Sequence, residues 1–300
     1  MASVIDYVEH FVPVSGGIRL YCREYGRVGA ASPVSVLCLP GLTRNCRDFE
    51  QLARWLAADF RVFTPDLRGR GRSDYDPNWR NYQPMTYVHD VGELLTLLRL
   101  PKVAIIGTSL GGLVAMTMAF LQPSRLAAVV LNDVGPELEQ RGLARIADYV
   151  GRLPPVSSWK EATIQAKLVN GTALPDLTDE EWLQFARNTY KEKNDGTPIL
   201  DMDPKIGDAS REASGPLPDL WPLFRALAGI PTALIRGATS DILTSVTAAK
   251  MQHEKPDLKV TEVPDRGHAP TLNEPESRRA IRELLSLVHP KISGTGEKSS

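Results

Sequence analysis

Cysteine is scarce: Cys22, Cys38 and Cys46 are the only three in 300 residues. Odd in number and without metal-like spacing, they argue against a disulfide framework or a cysteine-built metal site. Cys38 falls inside a predicted strand and reads as core. Excess charge of either sign is also lacking. The formal net charge is −1, which leaves no electrostatic case for a nucleic-acid or anionic-membrane partner. Arg68, Arg70 and Arg72 cluster, but in a glycine-rich loop beside Asp66 and Asp74, and read as solvated. No apolar run approaches the roughly 18 residues needed to span a membrane. The opening MASVIDYVEHF lacks the basic and apolar regions of a signal peptide, so the expectation is a reducing, cytoplasmic setting. What is present, 42% hydrophobic and 24% charged residues, suits a globular chain long enough for one large α/β domain, with or without an insertion.

The chain is organised around residues 103 to 120, VAIIGTSLGGLVAMTMAF. Val103 to Ile106 read as a short buried strand, and an apolar run after Gly111 reads as a buried helix. Between them Ser109 stands in a G-x-S-x-G pattern, which on a strand-to-helix turn is a nucleophile elbow. Such a pattern arises by accident in glycine-rich chains, but the flanking strand and helix tell against accident here. A turn this tight strains the serine backbone and leaves no room for side chains at the glycines. The hydroxyl is lifted clear at a helix N-terminus, where free N–H groups stabilise negative charge.

Elsewhere strands and helices alternate. Residues 8 to 25 read as a hairpin turned at Gly16-Gly17, and 34 to 40 as a buried strand. Phe49, Leu52, Ala53 and Leu56 mark a helix; 61 to 64 a strand; Val91, Leu94, Leu95 and Leu98 a helix; and 126 to 133 a strand. This alternation predicts a parallel sheet with helices on both faces. Ligands of such sheets bind at the carboxyl ends of the strands, where Leu42, Ser109 and Asp133 fall. From Gly135 to about Leu220 no buried strand is evident, only helical stripes (Leu143, Ile146, Ala147, Val150; Trp182, Phe185, Ala186, Thr189) and a capping box Thr178-x-x-Glu181. Pro154-Pro155, Pro175 and Pro216-x-Pro218 punctuate this segment, which reads as a helical insertion. Its Trp159, Trp182 and Phe185 could line a pocket or simply glue the insertion to the core. Strand–helix alternation then resumes with a strand at 231 to 237, a helix near 245 to 254, a strand at 258 to 264 and a last helix through Val288. The polar SGTGEKSS end reads as a disordered tail.

A serine nucleophile needs a base held in one tautomer by a carboxylate. Of five histidines, His10 lies in the hairpin, His89 on a helix away from the strand ends, His253 on a surface helix and His289 in the tail. His268, in the loop PDRGHAP after the last strand, is the well-placed base. For the carboxylate, Asp241 follows the strand ending near Arg236, while Asp133 follows the earlier strand. Asp265 is more simply a loop cap. The order Ser109, Asp241, His268 is the order expected after a nucleophile elbow, so Asp241 is favoured and Asp133 is the alternative. Backbone N–H groups of Leu110 and Leu42 are the expected oxyanion donors.

The successive segments LPGLTRN, PDLRGRGRSD, GTSLGG, RGATSDIL and DRGHAP together resemble the landmarks of the α/β-hydrolase family over essentially the whole chain. The resemblance implies an eight-stranded, mostly parallel sheet with helices on both faces. It implies a core from 1 to 134 and 221 to 288 and a helical cap from 135 to 220, while the polar composition of the end marks 289 to 300 as a tail. It also implies a Ser109–His268–Asp241 triad, oxyanion donors at Leu42 and Leu110, and no cofactor or metal. One departure is Pro40-Gly41, where many members have His-Gly. The cap points to no subfamily.

The serine separates this chain from members with an aspartate nucleophile (haloalkane dehalogenases, epoxide hydrolases) or a cysteine (dienelactone hydrolases). The implied chemistry is acyl transfer to water from a small carboxylic ester or lactone, with amides as a variant. Carbon–carbon bond cleavage on the same triad is the alternative, and a non-catalytic ligand receptor a more distant one. Specificity is expected from the cap and from side chains near Arg44; neither substrate nor oligomeric state is readable.

Overall fold

The computed structural model describes residues 7–26, 34–212 and 218–289. Of the expected disordered tail at 289 to 300 only His289 is among them, and it is buried edge-on against Phe60 instead of belonging to a tail; residues 290 to 300 and Pro216 lie outside the described residues. An N-terminal hairpin, β1 (Tyr7–Val14) and β2 (Ile18–Tyr25), turns at Ser15–Gly17. There follow β3 (Ser35–Leu39), α1 (Glu50–Leu56), β4 (Val62–Pro65), α2 (Pro84–Leu97), β5 (Val103–Thr108), α3 (Leu110–Leu121) and β6 (Leu126–Asn132). After a long segment come α8 (Trp221–Arg225), β9 (Thr232–Gly237), α9 (Ser245–Glu254), β10 (Lys259–Val263) and α10 (Pro275–Ser286).

Eight strands form one sheet in the order β1-β2-β4-β3-β5-β6-β9-β10. Only the pairings of β2 are antiparallel. Alternate residues of each central strand feed opposite faces, as the period of two requires. Leu37, Leu39 and Ile105 pack with α2 and α3, while Val36, Cys38, Ala104 and Ile106 pack with α1 and α10. Both faces are therefore covered, and the central strands are predominantly apolar.

Between β6 and β9 lie α4 (Gln140–Tyr149), α5 (Trp159–Asn170), α6 (Asp179–Thr189) and α7 (Lys205–Glu212). The capping box at α6 forms as its sequence demands. The segment is not purely helical: β7 (Tyr190–Glu192) and β8 (Pro198–Leu200) make a short antiparallel hairpin. Strands of three residues are too short to show a period, so this hairpin escaped the sequence pattern.

The arginine loop also differs from expectation. Arg68 and Arg70 are buried, at 3% and 0% exposure, and only Arg72 reaches solvent. Arg68 pairs with Asp76 and Asp90, both buried. Those acids lie 8 and 22 residues along the chain, beyond what local composition shows.

Candidate active site

Register places the candidate residues side by side. Thr108 of β5 is opposite Asn132 of β6, so the next residue of each strand, Ser109 and Asp133, emerges at the same carboxyl edge. Ser109 has φ 51°, a left-handed conformation unusual for a serine. Its neighbours explain why the turn survives. A β-carbon on Gly107 would meet the Gly111 carbonyl oxygen at 2.4 Å, and one on Gly111 would meet that of Leu39 at 2.2 Å. The strand and helix touch backbone to backbone, and only glycine fits.

His268 arrives on the loop after β10. Its Nε2 lies 2.9 Å from Ser109 Oγ and its Nδ1 2.7 Å from Asp133 Oδ2. A carboxylate only accepts, so Nδ1–H donates to Asp133 and Nε2 is left to accept the serine proton. Asp133 is fully buried. The Gly237 N–H donates to its Oδ1 at 2.8 Å, and the Ser240 hydroxyl donates to Oδ2.

Asp241, favoured by chain order, is not the histidine's partner. Its carboxylate faces α4 and takes a two-pronged bond from Arg145, Nε to Oδ2 at 2.6 Å and Nη2 to Oδ1 at 2.8 Å. That guanidinium holds the Asp241 carboxyl below its ordinary range. The physical reason is register: the residue just past β6 lies beside the serine, whereas Asp241 sits four residues beyond the end of β9. Arg145 is 96 positions away in sequence, so no local pattern announces the pair.

Asn132 was not anticipated. Its backbone carbonyl accepts the Ser109 N–H at 3.0 Å. Its side-chain amide donates to Thr108 Oγ1 at 3.0 Å and to the Pro270 carbonyl at 2.9 Å. One buried side chain thus joins the serine turn to the histidine loop. Its place directly before Asp133 at a strand end was the available signal.

The loop after β3 passes against the serine: a β-carbon at Gly41 would lie 3.8 Å from Ser109 Cβ. The N–H groups of Leu42 and of Leu110, the first residue of α3, have no acceptor among the described residues. The Leu110 donor stands at a helix N-terminus next to the serine, and Leu42 follows Gly41 on the loop that passes it.

Ser109 and His268 open into a cleft of about 710 Å³, bordered by Leu42, Arg44, Ile146, Tyr149 and Phe185. Arg44 stacks on Phe185, 4.2 Å from its ring centre, while its guanidinium engages Asp48 and Thr189. Burial pushes the Tyr149 phenol up, so it meets the cleft protonated. Two aromatic residues expected near the pocket do not reach it. Trp182 is buried behind Phe185 in an edge-on contact, and Trp159 bonds Glu192 and stacks under Arg187. Both follow the gluing alternative: Trp182 packs on Phe185 of its own helix, and Trp159 packs against the cluster shared by α5, α6 and β7. Among the described residues, no group of three or more His, Cys, Asp or Glu could hold a metal, and no helix is long and apolar enough to cross a membrane.

A serine, a histidine and a buried carboxylate at the strand ends of this sheet define an α/β hydrolase. The profile of the alpha/beta hydrolase family matches residues 36–280, and the chain belongs to that family. It is an enzyme of hydrolase type. A 3-hydroxybutyrate-oligomer hydrolase from Cupriavidus necator is 35% identical over 280 residues, covering 90% of this chain and 94% of that protein. A crystal structure of an alpha/beta hydrolase from Novosphingobium aromaticivorans is 44% identical, covers 94% of this chain and 99% of its own, and superposes with a TM-score of 0.88. A 2-(acetamidomethylene)succinate hydrolase from Mesorhizobium japonicum is 26% identical over 91% of this chain and 92% of that protein.

Proposed function

We propose that the protein hydrolyses a carboxylic ester of a small molecule through an acyl-enzyme, with Ser109, His268 and Asp133 as the triad. The observation that carries this reading is the unbroken Ser109–His268–Asp133 hydrogen-bond chain beside two free backbone donors. Ser109 Oγ bonds to the carbonyl carbon as its proton passes to His268 Nε2. Asp133 keeps the imidazole in the required tautomer and stabilises the imidazolium. The N–H groups of Leu42 and Leu110 bind the oxyanion, each worth about 10²-fold or more in rate. Collapse breaks the carbon–oxygen bond, and His268 delivers its proton to the leaving alcohol. Water then adds to the acyl carbon, giving its proton to His268, and the acid departs as Ser109 recovers its hydrogen. The steps use this chain's own groups and no cofactor.

The substrate class best supported is an oligoester of a short hydroxy acid. The Cupriavidus necator relative acts, by its name, on 3-hydroxybutyrate oligomers, and the open cleft exceeds what one small acyl unit fills. The segment between β6 and β9 serves as a cap, offering Tyr149 as a hydroxyl donor and Phe185 as an apolar wall. Three buried free thiols support a reducing, cytoplasmic setting.

The test is exposure to a serine-reactive fluorophosphonate, followed by intact mass and peptide mapping, with turnover of hydroxybutyrate dimers and simple esters measured in parallel. One adduct on Ser109 and turnover of the esters are expected. A folded protein that takes no adduct and cleaves vinylogous diketones instead of esters would overturn the reading.

A further inference from the structure

Arg70 carries a charge into the interior without an anion to meet it. It is fully buried, yet its guanidinium pairs with no carboxylate among the described residues. A buried cation is costly unless paired or fully hydrogen-bonded, and this one is neither: Nη2 has no partner among the described residues. The rings of Tyr87 and Tyr82 lie beside it at 4.8 and 5.8 Å. Its Nη1 donates to the Arg68 carbonyl at 2.7 Å and to the Tyr87 hydroxyl at 2.8 Å. Its Nε donates to the carbonyl of Leu42 at 2.9 Å.

Leu42 is the residue whose N–H, unpaired among the described residues, is proposed above as an oxyanion donor. We propose that Arg70 is a positioning residue for the oxyanion-binding donor at Leu42, acting from behind the loop by holding the Leu42 carbonyl. The bond fixes the peptide after Leu42, and so anchors the residue that carries the N–H against shifts of the loop away from the developing charge. A neutral hydrogen-bonding side chain could fill the space more cheaply; the cation gives a shorter, stronger bond to the carbonyl. The loop that carries Arg70 is in turn stitched to the segment after β8. The Gly71 N–H donates to the Asp201 carbonyl at 2.9 Å, the Asp203 N–H to that of Gly69 at 2.7 Å, and Arg70 bridges to Met202. Arg70 therefore stands where the stretch between β8 and α7 meets the back of the oxyanion loop.

The inference rests on Ser109 acting as the nucleophile, and the experiment separates the two. Arg70→Met keeps the length of the side chain and removes both the charge and the donor to Leu42. Turnover of an ester and of its thionoester is compared in wild type, Arg70→Met and Ser109→Ala. A thiocarbonyl sulfur is a poor acceptor, so only the oxygen ester draws fully on the N–H donors. Arg70→Met is expected to lower kcat for the oxygen ester by about 10- to 100-fold, a share of the loss from deleting one donor outright. KM and the thionoester rate should change little, so the ester-to-thionoester ratio narrows. Its Tm should hold or rise, because an unpaired buried charge has gone. A merely structural Arg70 would lower both rates together and leave the ratio alone. That result, or an unchanged kcat, overturns the proposal. Should Arg70→Met fail to fold, Arg70→Lys keeps the charge but removes the Nε donor to Leu42 and should narrow the ratio in the same direction; an unmoved ratio there overturns the proposal too. If Ser109→Ala retains wild-type turnover, the underlying mechanism falls and this role falls with it; if Ser109 is required and Arg70 is not, only the role of Arg70 is lost.

Discussion

Asp133 and Asp241 are two carboxylates in neighbouring turns, set apart by what each faces. Asp133 spends its oxygens on a backbone N–H, a hydroxyl and the imidazole. Asp241 spends both on one guanidinium. Replacing Asp133 by Asn would put an amide NH₂ against Nδ1 and favour the tautomer in which Nε2 carries the proton. Asp133→Asn should therefore lower kcat by about 10⁴-fold with the fold intact. Asp241→Asn should stay within about 10-fold of wild type, since it breaks a partly exposed ion pair and leaves the imidazole chain in place. Steady-state ester hydrolysis by the two purified variants decides the matter, and the reverse ranking would move the acid to the turn after β9. Ser109→Ala should lose about 10⁴-fold or more while melting like wild type.

At the scale of elements, the turn between β5 and α3 concentrates the constraint. Gly111→Ala would drive a methyl group into the Leu39 carbonyl, with β3 on one side and α3 on the other. Overpacking of this kind costs about 1–3 kcal/mol, which for a chain of this size is a fall in Tm of roughly 2–10 °C. A thermal melt checks it, and a fluorophosphonate labelling rate should fall in step because Ser109 shifts with the helix. Elements with a clear period were legible in the sequence: the apolar strand before Ser109, the helix after it, the Phe49-to-Leu56 stripe and the Thr178 capping box all lie where their patterns put them. What was not legible depends on partners distant in sequence. The burial of Arg68 and Arg70 needs Asp76, Asp90, Tyr82 and Tyr87. The choice of Asp133 needs the β5–β6 register. The β7–β8 hairpin is too short for any pattern, and its Tyr190 is buried by α5.

Across the whole molecule, the segment between β6 and β9 is fastened to the loops that carry the site. Arg44 reaches Thr189, Asn45 reaches the Asn188 carbonyl, Arg47 reaches Asp201, and the Gly267 N–H donates to Ala173. Arg145–Asp241 adds a charged tie between α4 and the turn after β9. Because Arg145 holds the Asp241 carboxyl below its ordinary range, the carboxylate binds its proton less readily folded than unfolded. Folding is therefore favoured by this pair above the unfolded carboxyl value, near pH 4. The contribution fades as pH drops through the lower folded value. Both side chains are about one-third exposed, at 38% and 32%, so solvent screening limits the pair to roughly 0.2–1 kcal/mol. Arg145→Met should thus melt about 1–3 °C below wild type at pH 7. The gap should narrow as pH falls below about 4, and added salt at pH 7 should narrow it as well. A gap that stays constant across both titrations would mean that Arg145 holds α4 by packing its aliphatic stem, and that charge has no part in fastening the segment there.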